Sequence, residues 1–156
     1  MRGEVHNEDS YNEDNPNCER TYAELRLYSG QVEPGEVTAR VGIAPTEQRR
    51  RGSESVNSLG RPVTHPRNAW FLSSEHHVHS KEIRRHLDWL LPQLIEHRFE
   101  LAELKKEPDV RMWICCLWWS ATGDGGPTLS PVQMEAMAQL GLDCCFELAF
   151  YTEETL

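Results

Sequence analysis

Apolar and polar residues alternate along four stretches of the chain, a pattern typical of β-strands that bury one face. In residues 20–28, Ala23, Leu25 and Leu27 share one side, which predicts a core-facing surface. Residues 67–73 and 110–119 also predict strands, and the second of these is apolar on both faces, as a central strand would be. A last strand is predicted over residues 142–151. The residues of that strand expected to face the core are Leu142, Cys144, Phe146, Leu148 and Phe150.

Helical spacing of apolar residues predicts two helical stretches in the first two thirds of the chain. A short helix is expected over residues 34–41, because Pro34 suits a first helical position and Gly42 suits a left-handed cap. A longer pattern runs from Ser80, the predicted N-cap, to about residue 106. Pro92 interrupts it and predicts one kinked helix or two consecutive helices.

A third helix is predicted by a capping box, in which Ser130 is the N-cap and Gln133 the third helical residue. Residues 46–66 are polar and predict a loop with a short strand near 47–51. Together these elements predict an α+β fold in one domain over residues 20–156. We expect a four- or five-stranded, mainly antiparallel sheet with helices packed on one face.

The net charge of −9 is concentrated at the two ends of the chain. Residues 1–19 and 135–156 each carry −5, while residues 20–134 carry +1. The first stretch is rich in Asn, Asp and Glu, so we expect a disordered acidic leader over residues 1–19. This charge makes nucleic acid a poor partner, since phosphate binding requires clustered Lys and Arg.

The sequence also bears on location and cofactors. No apolar run approaches the roughly 20 residues of a membrane span, and residues 1–8 lack the hydrophobic region of a secretory signal. We therefore expect a soluble, cytoplasmic protein that does not bind membranes. No cofactor-binding motif is present in the sequence, and no cofactor is predicted.

The five cysteines are Cys18 and two adjacent pairs, Cys115-Cys116 and Cys144-Cys145. Neither pair has the C-x-x-C spacing of a zinc site. Adjacent residues of a strand point to opposite faces, so one pair cannot easily direct both thiols to one site. We expect reduced, buried cysteines that pack as small hydrophobes. A four-thiol metal site remains an alternative if the two strands are neighbours.

Several residues are candidates for contact with a protein partner. The run Arg49, Arg50 and Arg51 could grip an acidic surface, or could be an ordinary solvated run. Trp118 and Trp119 lie on opposite faces of one predicted strand, and one of those faces could form an aromatic interface patch. Two acidic residues of the last strand region, Asp143 and Glu147, could meet a basic partner.

A histidine cluster, His76, His77 and His79, is the candidate for a metal site. No carboxylate-containing motif such as H-E-x-x-H accompanies it, so solvated loop histidines are the expected reading. No serine or cysteine lies in a nucleophile-elbow motif, and no catalytic residue is predicted.

Several short motifs follow one another along the chain. The motifs are Val37-Thr38, Val41-Gly42-Ile43-Ala44-Pro45-Thr46, Gly52, a Trp70 strand ending in Ser73-Ser74, a Leu-rich helix, Leu129-Ser130-Pro131 and Leu140-Gly141. Over residues 20–151 the sequence resembles the bacterial domain of unknown function family 4279. The resemblance implies a small α+β domain without an established enzymatic activity. It also implies a likeness, in size and acidity, to immunity proteins that neutralise bacterial toxins.

Three functional hypotheses follow. The first is a non-enzymatic protein-binding domain, specifically an immunity protein that neutralises a cognate bacterial toxin. The second is a metal-dependent enzyme centred on His76, His77 and His79. The third is a structural or regulatory homodimer, and the sequence leaves the choice between monomer and homodimer open.

Overall fold

A computed structural model describes residues 8–150 of the 156-residue chain. The strands are β1 (Cys18–Ser29), β2 (Glu47–Arg49), β3 (Glu54–Val56), β4 (Pro62–Thr64), β5 (Asn68–Ser73), β6 (Arg111–Ser120) and β7 (Cys144–Phe150). The helices are α1 (Pro34–Val41), α2 (Ile83–Glu96), α3 (Arg98–Lys105) and α4 (Pro131–Leu140). A short 3-10 turn covers Glu8–Ser10. The predicted α+β fold class is confirmed.

Five strands form the main sheet in the order β2-β5-β1-β6-β7. Neighbouring strands are antiparallel except β6 and β7, which are parallel. The expectation of a mainly antiparallel sheet is therefore wrong, and the sheet is mixed. The cause is α4, which carries the chain from the end of β6 back to the end where that strand began. β7 consequently runs in the same direction as β6.

The hydrophobic core joins alternate residues of the central strands to residues from all four helices. From the sheet it takes Ala23, Leu25 and Leu27 of β1, with Trp70 and Leu72 of β5 and Ile114 and Cys116 of β6. The apolar stripe of α2 supplies the largest helical share, including Leu87, Leu90 and Leu94, which are fully buried. We call the side of the sheet that carries these strand residues the core face and the opposite side the outer face.

The predicted end signals of α1 and α4 are confirmed, whereas the predicted start of α2 is wrong. Gly42 and Gly141 end α1 and α4 in the left-handed conformation, and the Ser130–Gln133 capping box is present. The prediction of Ser80 as the N-cap of α2 is wrong, because α2 begins at Ile83. Two consecutive helices are present, as one of the two alternatives predicted. The break between them is at His97 and not at Pro92, which lies inside α2.

The polar stretch 52–66, expected to be a loop, contains a second, two-stranded sheet. β3 and β4 pair antiparallel, with Ser55 opposite Val63. Nearly all of their residues are exposed. The alternation of apolar residues that signals a strand is therefore weak here, which explains why the sequence did not reveal this hairpin.

Residues 8–17 make defined contacts with α2, whereas the sequence predicts a disordered leader over residues 1–19. Tyr11 donates a hydrogen bond to Asp88 at 2.7 Å, and its ring centroid lies 4.4 Å from the Arg84 guanidinium carbon. Glu13 forms a salt bridge with Arg85. Residues 18 and 19 already belong to β1. Residues 1–7 lie outside the described part of the chain.

Candidate functional site

A cleft of about 200 Å³ on the outer face is lined by three carboxylates and no lysine or arginine. Glu24 of β1, Glu47 of β2 and Glu75, which follows β5, supply the carboxylates. Phe71 of β5 is the aromatic residue of the lining and is 5% exposed. The other lining residues are Thr46, Ser73, His76 and His77. We call this cavity the acidic cleft.

The strand register explains why these residues meet. Glu47 is directly opposite Phe71 across the β2–β5 pair, and Glu24 is opposite Ser73 across the β1–β5 pair. Directly opposite residues of a sheet lie on the same face, so three strands contribute side chains to one site. β5 lies between the other two strands, and its end carries Glu75 to the rim.

Each carboxylate of the acidic cleft also has an arginine partner. Arg26 donates to Glu24 at 2.6 Å, Arg49 donates to Glu47 at 2.6 Å, and Arg20 pairs with Glu75. These arginines do not line the cleft itself. The arginines therefore hold the three carboxylates in place, while the lining of the cavity itself contains the carboxylates and not the arginines.

A second cleft of about 350 Å³ shares Glu75 with the first. Its lining residues are Glu13, Asp14, Glu19, Arg20, Thr21, Glu75, Val78, His79, Ser80 and Lys81. Hydrogen bonds from Ser80 and from Arg85 lower the pKa of the Glu13 carboxyl. The two clefts form one acidic region with Glu75 between them. Three carboxylates of the larger cleft belong to the predicted leader, namely Glu13, Asp14 and Glu19.

Aromatic and arginine side chains occupy the outer face beside the acidic cleft. The Tyr28 ring stacks on Trp113 and meets the edge of Phe71, each with 5.5 Å between ring centroids. The Arg20 guanidinium lies over Trp119, 5.1 Å from the ring centroid. Tyr, Trp and Arg are the residue types enriched in the energetically dominant parts of protein interfaces.

The arginine run divides between two environments. Arg49 belongs to β2 and lies over the Phe71 ring, 5.4 Å from its centroid, at the acidic cleft. Arg50 and Arg51 follow the strand and are exposed. The backbone N–H of Arg51 donates to Asn68 at 2.8 Å, which fastens the turn to β5. Of these three arginines, only Arg49 therefore lies over an aromatic ring of the outer face.

The two tryptophans expected to lie on opposite faces of β6 do so. Trp119 is opposite Arg20 on the outer face and is half-buried. Trp118 is 2% exposed, and its indole N–H has no hydrogen-bond partner within residues 8–150. Trp118 is therefore enclosed by the protein, and Trp119 is the one accessible to a partner.

The two predicted acidic partner residues near the last strand are separated by the structure. Asp143 precedes β7, is exposed, and accepts a backbone hydrogen bond from Ile114 at 2.9 Å through its carbonyl. Glu147 lies on the outer face opposite Leu117 and accepts from Arg26 at 2.5 Å. This hydrogen bond from Arg26 lowers the pKa of the Glu147 carboxyl. Glu147 is thus a residue of the outer face, whereas Asp143 lies just before the strand.

The three histidines do not converge on one point. His76 is exposed and 4.0 Å from Glu75, while His77 stacks on Trp89 at 4.8 Å between ring centroids. His79 lines the larger cleft. No group of three or more His, Cys, Asp or Glu side chains within residues 8–150 is positioned to share a metal ion. The geometry of the described residues thus gives the metal alternative no support.

The paired cysteines lie on neighbouring strands but on two faces. The sulfur atoms of Cys116 and Cys144 approach to 3.8 Å beside the core, while Cys115 and Cys145 are opposite each other on the outer face. Burial raises the pKa of the Cys115 thiol to about 12. The sheet separates the four thiols into two pairs, so they do not form a single four-thiol site.

A scan against protein-family models matches residues 19–151 to the domain of unknown function DUF4279. The chain belongs to this family. The match confirms the resemblance seen in the sequence motifs, and it includes nearly the whole five-stranded sheet. Searches of curated proteins and of solved structures find no match. None of the helices within residues 8–150 of this DUF4279 protein is both long and apolar enough to cross a bilayer.

Sequence reasoning missed the acidic cleft of this DUF4279 domain. Glu24, Glu47 and Glu75 are far apart in the chain, and only strand order brings them together. One signal was present, because the alternation in residues 20–28 places Glu24 on the face away from the apolar residues. That pattern assigns a face to the side chain but does not identify its neighbours.

Proposed function

We propose that this protein is a non-enzymatic binding domain that acts in the cytoplasm as an immunity protein and neutralises a cognate bacterial toxin. The observation that carries the proposal is the acidic cleft, where Glu24, Glu47 and Glu75 surround Phe71. The partner surface is basic, and an arginine or lysine side chain of the toxin enters the cleft.

The geometry of the cleft suits a cationic side chain. Its carboxylates accept hydrogen bonds from a guanidinium or ammonium group, and the Phe71 ring provides an apolar wall for the stem of that side chain. The cleft is too small for a folded element and large enough for one side chain. A single anchoring residue in a fitted pocket is a common feature of tight protein interfaces.

The surroundings of the cleft supply the rest of the interface. Trp119 and Arg20 lie on the same outer face, and the larger cleft adds the carboxylates of Glu13, Asp14 and Glu19. An acidic region attracts a basic partner over several ångströms and accelerates association. The resemblance to immunity proteins and the absence of a catalytic constellation in the sequence support the same class of function.

Co-expression with the product of the open reading frame beside this gene tests the proposal. We expect the wild-type chain to restore growth of cells that produce that protein. The double substitution Glu47→Gln and Glu75→Gln should abolish rescue and weaken binding by about tenfold or more. Raising the salt concentration should slow association of the wild type more than that of the variant.

A matched control separates the cleft from net charge. Glu54 of β3 and Glu135 of α4 are exposed and do not line either cleft. The double substitution Glu54→Gln and Glu135→Gln changes the total charge by the same amount and should leave rescue and affinity unchanged. Equal effects of the two double variants would refute the acidic cleft as the binding site, and failure of the wild type to bind would refute the immunity function.

A further inference from the structure

The edge strand β7 presents an unpaired edge and an exposed apolar stripe. The strand order places β7 beside β6 alone, and no other strand within residues 8–150 pairs with it. Phe146, Leu148 and Phe150 share its core face, yet they are 42%, 55% and 55% exposed. The prediction that these three residues face inward to a covered core is therefore wrong. Only Cys144, at the start of the strand, packs against the core cluster.

This exposure is unusual for an edge strand. Proteins normally protect edges with charge, proline or short length, because a row of free N–H and C=O groups recruits further strands. β7 has seven residues and one charged side chain, Glu147, which points to the outer face. The core-face stripe thus combines backbone groups able to pair with side chains that gain from burial.

The stripe is symmetric about Leu148. In an antiparallel pair of two β7 strands centred on Leu148, Phe146 of one copy would lie opposite Phe150 of the other, and the two Leu148 side chains would meet. A two-fold interface requires this kind of self-complementary surface, because the same patch is used by both copies. A segment of a different protein would not require the palindromic order Phe-x-Leu-x-Phe.

The charges on the outer face are compatible with the same register. Residues at 147 and 149 would be opposite each other, so Glu147 would lie opposite Ala149 of the second copy, and the two Glu147 carboxylates would not face each other. Arg26 already binds Glu147 within each chain at 2.5 Å. A like-charge contact, which would oppose pairing, is thereby avoided.

We propose that two copies of this chain associate through β7 about a two-fold axis at Leu148, giving one continuous sheet of ten strands. The axis is perpendicular to the sheet, so each copy keeps its core face and its outer face on the same sides as its partner. Phe146, Leu148 and Phe150 of both copies form an apolar cluster beside the axis. The acidic clefts lie toward the opposite ends of the joined sheet and stay accessible.

The oligomeric state of the full chain provides the first test. Light scattering and analytical ultracentrifugation should show a dimer at about 100 μM, where a micromolar dissociation constant populates mostly dimer. Leu148→Arg places two like charges at the axis and should weaken the dimer roughly 30-fold or more. Leu59→Arg, at an exposed apolar residue of the β3–β4 hairpin, should leave the dimer unchanged.

A monomeric wild type at this concentration, or equal effects of Leu148→Arg and Leu59→Arg, would overturn the proposal. A wild-type monomer that gains a strand from a different protein would do the same. Circular dichroism checks that both variants are folded, which the exposure of both residues leads us to expect. The result is independent of any toxin, so it stands or fails separately from the proposed function.

The register has its own test. Ala149→Lys would place a lysine opposite Glu147 of the second copy, whereas Ala149→Glu would place a like charge there. The dimer of the lysine variant should be tighter by about tenfold, since each dimer contains the contact twice. The same pair of substitutions at Ala39, an exposed residue of α1, controls for net charge. Equal dissociation constants for the two residue-149 variants would exclude the axis at Leu148.

Discussion

β5 and β7 are similar in composition and opposite in burial. β5 has six residues, all of them buried, including Trp70, Phe71 and Leu72. β7 has seven residues, and its two phenylalanines and its leucine are all exposed. The difference is position, because β5 is flanked by β1 and β2, whereas β7 has β6 on one side only. Apolar composition thus identifies a strand without revealing what covers it.

A three-residue strand is enough to make β5 an interior strand. β2 is short and carries charged residues at both ends, Glu47 and Arg49, which is the usual protection of an edge. β7 has no equivalent cover within residues 8–150. The sheet therefore has one edge with the usual protection and one edge that no other strand within residues 8–150 covers.

The sharpest test of this comparison replaces one large apolar residue in each strand. Trp70 is fully buried and donates its indole N–H to Thr38 at 3.0 Å. Trp70→Ala should lower the free energy of unfolding by about 3–5 kcal/mol, as measured by urea denaturation at low protein concentration. Leu148→Ala should change it by about 0.5 kcal/mol or less. The loss of unfolding free energy in Trp70→Phe should lie between those two values. Similar losses in the two alanine variants would contradict the difference in burial between β5 and β7.

The end of β5 is tied to α2 by a buried histidine, which gives the next largest effect. The Nε2–H of His86 donates to the Ser80 carbonyl at 2.8 Å, so Nδ1 accepts from the Ser74 hydroxyl at 2.7 Å. Burial lowers the pKa of His86 below its ordinary value of 6.5. The unfolded chain therefore binds a proton more readily than the folded chain, and stability should fall as the pH drops below about 6.5.

His86→Gln tests this anchor. At pH 8 it should lower the free energy of unfolding by about 1–3 kcal/mol, because buried partners lose their hydrogen bonds. The variant should also lose less stability on acidification than the wild type does, since the buried imidazole is gone. His76→Gln, at an exposed histidine, is the control. An unchanged pH dependence in His86→Gln would show that the loss arises elsewhere.

A smaller effect is expected where β2 is fastened to β5. The Thr46 hydroxyl accepts from the Ser73 N–H at 2.9 Å and donates to the Phe71 carbonyl at 3.1 Å. Thr46→Val should cost about 1 kcal/mol and should increase hydrogen exchange along β5, measured by mass spectrometry. Thr128→Val, in the exposed loop before α4, is the control. Unaltered exchange in β5 would mean that β2 is not needed to protect it.

The smallest effect concerns the ion pair that joins β1 to β7. Glu147 is half exposed, with 51% of its side chain accessible, so solvent weakens its attraction to Arg26. Glu147→Gln should lower the free energy of unfolding by less than about 1 kcal/mol. The wild-type contribution should be lost as the pH falls through the lowered pKa of Glu147. Glu135→Gln is the matched control. A loss of unfolding free energy in Glu147→Gln as large as that in Trp70→Ala would show that β7 contributes to stability as a buried strand does.

Much of the fold was predictable because it depends on local signals. The alternation in β1, β5 and β6, the glycines that end α1 and α4, and the Ser130 capping box all act over a few residues. The parallel β6–β7 pairing was missed although α4 between them indicates it, since a helical crossover usually joins parallel strands. Local pattern alone did not decide the direction of β7.

The candidate site was less predictable because it depends on strand order. Arg49, Trp119 and Glu147 were identified from residue type and do share the outer face. Trp118 was chosen on the same grounds and is buried on the core face, and Asp143 precedes β7. The acidic cleft brings together residues between 24 and 77 of the sequence through two strand pairings, β1–β5 and β2–β5, and no short motif encodes that arrangement.

The position of Tyr11 affects how this domain can be exchanged between proteins. The family region begins at residue 19, yet the Tyr11 phenol donates to Asp88 and accepts from Gln133 at 2.9 Å. Arg84 and Arg85 also hold residues 8–13. A chimera spliced at residue 19 would inherit nearly the whole sheet without the peptide that joins α2 to α4. A transplant that keeps these contacts must therefore start upstream of residue 19, by residue 8.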